Sequence, residues 1–178
     1  EPAQAQKDYV LELAIERITG QTFRHFETVA MQHGTEHEPL ARQAYEAETG
    51  QLVEQVGFCR HDELPFGASP DGFVGDDGTI EIKCPFDPKV SLRTRVDGMP
   101  AEHMAQVQGL LFVTGRTWCD FISLDPRLPL SLQLYVQRIS ADAKWQDRII
   151  TAVQSVEADI MDILGKLKWQ STTTPIAA

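Results

Sequence analysis

Cysteine is scarce in this chain, and what there is does not pair. Cys59, Cys84 and Cys119 are odd in number and widely spaced, and no CxxC occurs. That argues against a zinc ribbon or an iron–sulfur cluster. All three lie in apolar, strand-like stretches, the pattern of buried free thiols in a reducing cytoplasm. No apolar run reaches membrane-spanning length, so no transmembrane helix is expected. HExxH is also missing. His33 and His37 stand i, i+4, a spacing that can bind zinc, but His61 and His103 fall in other elements and supply no third ligand. Basic residues are outnumbered, 16 Lys and Arg against 26 Asp and Glu, for a net charge of −10. That balance speaks against a protein that coats nucleic acid through general charge. The chain has no internal repeat and no low-complexity linker. It opens on Glu1 rather than Met, so an upstream segment is expected, and a targeting peptide within it stays open.

What is present suffices for one domain with a real core: 178 residues of globular composition. Helical spacing of Tyr9, Val10, Leu13 and Ile18 predicts a helix over 6–18, closed by Gly20. A second helical region runs over 25–49, with a break near Gly34 left open, and ends at Thr49-Gly50. The periodicity then changes. Strands are expected at 51–60, 66–74, 79–84, 118–124 and 132–139, with a helix at 101–114 and a basic loop at 85–100. The turn 125–129 is Pro-rich. A long helix over 141–168 carries Trp145, Ile149, Val153, Val156, Ile160 and Leu164 on one stripe. Residues 1–170 form the expected single domain, and 171–178 a loose tail. The order predicts an α/β sandwich, a mixed central β-sheet flanked by helices.

Chemistry concentrates in Ser69-Pro70-Asp71-Gly72 and Glu81-Ile82-Lys83. Alternate strand residues share a face, so Glu81 and Lys83 emerge together. The spacer between the two segments carries Asp77-Gly78, a tight-turn signal that folds Asp71 back beside Glu81. Two carboxylates and one ammonium then converge. Hard oxygen ligands suit Mg²⁺ or Mn²⁺, with the Lys beside a metal-bound water, as in phosphodiester hydrolysis. A surface hairpin with an exposed Glu–Lys pair is the competing reading. The apolar flanks Ile80, Ile82 and Cys84 favour a buried strand, where charges need partners. Glu38 follows Gly34 by one helical turn and can be presented to the sheet. Arg42, one turn further, either pairs with it or contacts a phosphate. Lys83, Lys89, Arg93 and Arg95 make the 81–95 stretch locally basic within an acidic whole, which predicts a basic groove beside the site.

Four ordered blocks carry a family resemblance: Gly34-Thr35-Glu36-His37-Glu38-Pro39-Leu40-Ala41-Arg42, Ser69-Pro70-Asp71-Gly72, Glu81-Ile82-Lys83-Cys84-Pro85-Phe86, and Met104-Ala105-Gln106-Val107-Gln108. The chain resembles the PD-(D/E)xK nucleases, and within them the YqaJ-like viral recombinases of the phage lambda exonuclease family, over nearly all of residues 10–165. The resemblance implies a restriction-endonuclease-like core. It makes Asp71, Glu81 and Glu38 catalytic acids and metal ligands, with the backbone carbonyl of Ile82 as a further ligand. Lys83 positions or activates the attacking water. Gln106 lies near the DNA phosphate, Ser69 at the terminal 5′-phosphate and Lys89 at the DNA backbone. Met31 stands at the apolar wedge that separates the terminal base pair, with helix core packing as its competing reading. The cofactor implied is Mg²⁺, replaceable by Mn²⁺. The substrate implied is a double-stranded DNA end, digested 5′ to 3′ by a homotrimeric ring that serves a single-strand annealing protein in phage recombination. An endonuclease or repair nuclease on the same core, or a DNA-binding module with weak activity, are the alternatives. One departure is visible: the family's other 5′-phosphate grips, an Arg and a Ser, belong to a segment that would precede Glu1.

Overall fold

The computed structural model describes residues 4–22 and 27–169. The expected tail 171–178 lies outside them. The chain divides into two compact units, one of residues 27–149 and one of residues 1–26 with 150–178.

The larger unit is built on a five-stranded sheet of order β1-β4-β5-β6-β7. Its strands are β1 (Val53–Glu54), β4 (Gly72–Val74), β5 (Gly78–Lys83), β6 (Trp118–Leu124) and β7 (Leu134–Ser140). Only β5 and β6 pair in parallel, which makes the sheet mixed as expected. Helix α2 (Val29–Thr49) covers one face. Its Ala41 and Tyr45 pack with Val74, Ile80, Ile82, Ile122 and Leu124. Helix α4 (Met104–Thr114) brings Val107 and Leu111 against Cys119 and Phe121 on the other face. The strands therefore alternate between layers, Ile80 and Ile82 toward α2, and Thr79, Glu81 and Lys83 toward the α4 side. Cys84 and Cys119 are buried free thiols, as expected, while Cys59 is a half-buried one.

The smaller unit pairs α1 (Gln4–Thr19) with the later turns of α6 (Ala143–Lys166). Val10 and Ala14 pack against Ile160 and Leu164. Arg17 grips Glu157 through two bonds of 2.7 and 2.8 Å. No helix of the described residues is long and apolar enough to cross a membrane.

Several local expectations change. Helix α2 runs through Gly34 without interruption, starting at Thr28, whose hydroxyl accepts from the Met31 N–H. The segment 51–60 is not one strand. β1 joins the main sheet, while β2 (Cys59–Arg60) pairs with β3 (Gly67–Ala68) in a separate ribbon. The strand expected over 66–74 breaks between β3 and β4 at Ser69-Pro70, since Pro70 has no N–H for a ladder. The basic loop holds α3 (Pro88–Asp97): Asp87 caps it by accepting from the Lys89 N–H, and Pro88 begins it. A short α5 (Leu130–Gln133) delays β7 by two residues. The β4–β5 connection turns on Gly75-Asp76-Asp77, where Gly75 supplies φ 54°. Gly78 instead begins β5, where an added Cβ would fall 2.1 Å from the Trp118 ring.

Candidate active site

The hairpin does what the spacing predicts. Gly72 pairs with Ile80, so Asp71, one residue earlier, stands level with Glu81 at the end of the ladder. Asp71 Oδ2 accepts from the Ile82 N–H at 2.6 Å, which fixes the carboxylate beside β5. Gly72 is required at this level, because a Cβ there would lie 2.3 Å from Val53 Cγ1. Arg116 locks the hairpin's far end, donating to the carbonyls of Gly75 and Gly78 at 2.8 and 2.7 Å and stacking over Phe73.

On the α4 face, Lys83 Nζ donates to Glu81 Oε1 at 2.5 Å and to Gln106 Oε1 at 3.1 Å. Glu81 is only 2% exposed, and its Oε2 is buried without a hydrogen-bond partner. An orphaned anionic acceptor in that setting is costly unless something neutralises it. Burial, and then the Asp71 carboxylate, push Glu81 up to about 7, against the pull of Lys83. Burial also raises Asp71. The Ile82 N–H opposes that rise and the nearby Glu38 charge adds to it. Two carboxylates that resist being charged together, with one oxygen lacking any donor, form an oxygen-ligand set that fits a hard divalent cation.

The third acid comes from a helix rather than from the sheet. Glu38 lies on α2, which packs on the Ile80/Ile82 side of the sheet, whereas Glu81 faces the other side. Its Oε1 is held by Arg42 Nη2 at 2.6 Å, so the salt-bridge reading of that pair is the one formed. Among the described residues, no group of three or more His, Cys, Asp or Glu is placed to hold a metal ion. Asp71 and Glu81 stand side by side, and Glu38 is close enough to both to act on them through its charge. The His33 and His37 rings lie 4.1 Å apart and tilted by 35°, and His37 Nδ1 bonds the His33 carbonyl, with no third ligand among the described residues.

The outer positions sort by exposure. Ser69 is exposed on the turn before Asp71, and Lys89 is exposed on the first turn of α3. Met31 is 54% exposed on the first turn of α2, which removes core packing as its explanation. Gln108, next to Gln106 in sequence pattern, is buried and bonds the Ser140 carbonyl and Asp142 N–H, a scaffold role. Arg95 is spent on the carbonyls of Leu134 and Ser131 rather than on a basic groove.

The sequence reading did not place two further side chains, His103 and Arg127, beside the site. His103 stacks on Phe121, and burial followed by the Lys83 charge lowers its pKa. Arg127 clasps both oxygens of the buried Asp125 and donates to the carbonyls of Pro85 and Phe86, tethering the loop that leaves Lys83. The available signal was Asp125 itself, which accepts from the Arg127 N–H two residues on, an Asx turn.

A pH signature follows from Glu81. Its folded pKa lies above its unfolded value, so its contribution to stability is fully present below about 4.5 and is lost as pH rises through about 7. In chelator, Glu81→Gln, which mimics the protonated acid, should match the parent near pH 4.5. It should become more stable than the parent by up to about 3 kcal/mol at pH 8. Thermal melts across that range check it, and a gap that does not grow with pH would contradict the assignment.

The YqaJ-like viral recombinase domain matches residues 1–117, a span that contains Met31, Glu38, Ser69, Asp71, Glu81, Ile82, Lys83, Lys89 and Gln106. The chain belongs to that family. Among solved structures, it is similar to LHK-Exo in complex with dAMP, with 42% identity and TM-score 0.86 over 93% of this chain and 85% of that one. LHK-Exo, an alkaline exonuclease from Laribacter hongkongensis, also matches at 40% identity and TM-score 0.86, over 94% of this chain and 86% of that one. A phage-related exonuclease from Haemophilus somnus 129PT shares the fold at 16% identity and TM-score 0.72, over 93% and 85% of the two chains. No curated protein matches.

Proposed function

We propose that this chain is a Mg²⁺-dependent exodeoxyribonuclease that digests the 5′-ended strand of linear double-stranded DNA. The 3′ overhangs it leaves would feed recombination by single-strand annealing in a host bacterial cytoplasm. The observation that carries the reading is the buried, partnerless Glu81 Oε2 beside Asp71, with Lys83 on the same strand. Likeness to LHK-Exo, an alkaline exonuclease, supports the exonuclease part.

Asp71, Glu81 and the Ile82 carbonyl would hold the cation, with Glu38 as the third acid. A bound Mg²⁺ supplies Lewis-acid polarisation of a phosphoryl oxygen and a more acidic water. Lys83, held between Glu81 and Gln106, aims its ammonium at the attacking oxygen and offsets the charge that builds on the phosphorane. Gln106 orients that ammonium from α4 and lies beside the scissile phosphate. Ser69 and Lys89, both exposed, receive the terminal 5′-phosphate and the DNA backbone. Met31 wedges against the terminal base pair. The products are a 5′-phosphate and a 3′-hydroxyl. A homotrimeric ring and an annealing-protein partner complete the reading, since an encircled strand cannot easily leave between cuts.

The test uses linear duplex DNA labelled at either end of each strand, beside a covalently closed circle, with Mg²⁺. Mononucleotides released from the 5′ strand of linear DNA alone are expected. Cutting of the circle would make the protein an endonuclease, and release from the 3′ strand would reverse the polarity.

A further inference from the structure

We infer that Arg42 is a positioning residue for the cation site, acting through its guanidinium fork rather than its charge. This rests on the reading of Asp71 and Glu81 as cation ligands. Arg42 ties together three separate stretches of chain from one side chain. It donates to Glu38 Oε1 on its own helix at 2.6 Å, and to the backbone carbonyl of Asp71 at 3.3 Å. With the Gln55 amide turned to satisfy both partners, Gln55 Oε1 accepts from Nη1 at 2.7 Å and Nη2 at 3.2 Å. The side chain is only 12% exposed and its Nε is buried without a partner, so it has no freedom to swing toward a phosphate.

The geometry explains why such a brace is needed. Asp71 lies just before β4, and the β1 ladder reaches only from Val53 to Glu54 opposite Val74 and Phe73. Asp71 therefore stands past the β1 ladder, in a turn that follows Pro70. Its carboxylate is set by the Ile82 N–H, while Arg42 holds its carbonyl. The same fork fixes Glu38, whose helix packs on the opposite face of the sheet from Glu81. A planar fork can bind these acceptors at once, whereas a lysine's single ammonium cannot reproduce them. Groups that orient metal ligands from behind commonly change affinity by 10–100-fold when removed.

The sign of the effect separates this role from simple electrostatics. Arg42 is a cation beside a cation site, so charge alone predicts that removing it tightens metal binding. Positioning predicts the reverse. Mn²⁺ binding to the parent, Arg42→Gln and Arg42→Lys would be followed by calorimetry and by the loss of the free-Mn²⁺ resonance signal, with melting curves alongside. Gln55→Ala serves as a milder variant that keeps Arg42 and removes one strut. The expected result is an affinity about tenfold weaker in both Arg42 variants, with Lys giving no rescue, and a smaller loss in Gln55→Ala. Unchanged or tighter binding in Arg42→Gln, or parental affinity in Arg42→Lys, would overturn the inference even if stability falls. A parent that binds no Mn²⁺ would overturn the cation reading itself, a different failure from parental binding that the variants leave untouched.

Discussion

Lys83→Ala should lose about 10²–10³-fold in DNA hydrolysis rate at saturating substrate while remaining folded, the scale seen when one preorganised donor to a developing charge is removed. Lys83 is held at Glu81 and Gln106 and still keeps 29% of its side chain exposed, so the ammonium is fixed yet reachable. Its removal leaves Glu81 without its cation, and the carboxyl, already raised by burial, can take up a proton rather than stay charged. The fold therefore has a way to absorb the change, and the chemistry has none. Asp71→Asn should be as severe, because an amide oxygen is a poorer ligand for a hard cation than a carboxylate. Single-turnover rates on 5′-labelled duplex, with melting curves for both variants, decide the matter. A Lys83→Ala rate within tenfold of the parent would remove Lys83 from the reaction.

Asp120→Ala should show the opposite pattern, a stability lesion without a catalytic one. Asp120 is buried on the α2 side of β6 and accepts the Tyr45 hydroxyl at 2.7 Å. Arg138 on β7 grips it through Nε and Nη2, both at 2.8 Å, while stacking 3.5 Å over Trp118. One carboxylate thus joins α2, β6 and β7. Alanine leaves the buried Tyr45 hydroxyl without its acceptor and frees the guanidinium, and opens a small void. The expected cost is about 3 kcal/mol, the range for breaking a buried polar network. For a chain of this size that corresponds to a melting temperature lower by roughly 6–12 °C. Asp120→Asn, which keeps one acceptor oxygen, should fall between. Below the transition, the rate on DNA should stay within about twofold of the parent, because Asp120 pairs with Ile80 on the face turned away from Lys83. A melting point unchanged by Asp120→Ala would show that the network carries no stability.

The pair at the centre was legible because two short-range rules act on it. Period two puts Glu81 and Lys83 on one face, and a hairpin of fixed length brings Asp71 level with Glu81. Helices α2, α4 and α6 and strands β5 and β6 were legible from periodicity in the same way. Partner choice was not. Residues 51–60 look like one strand, but nothing local says that β1 joins the sheet and β2 a separate ribbon. The Pro- and Gly-bearing stretch 85–100 read as a loop, although Asp87-Pro88 is a capped helix start when taken together. Glu38 illustrates the same limit at the site. Its helical spacing from Gly34 was visible, but which layer α2 packs on, and that Arg42 would hold the carboxylate, are long-range facts. The clasp of Arg127 on Pro85 and Phe86 spans about forty residues of sequence and left only the Asx turn as a local trace.

The most direct test is to soak crystals of the protein in Mn²⁺ and map its anomalous scattering. The account predicts a peak within coordinating distance of Asp71 and Glu81, next to the Ile82 carbonyl, that disappears in Asp71→Asn. No peak there, or one only at His33 and His37, would contradict the assignment of these carboxylates as the cation site.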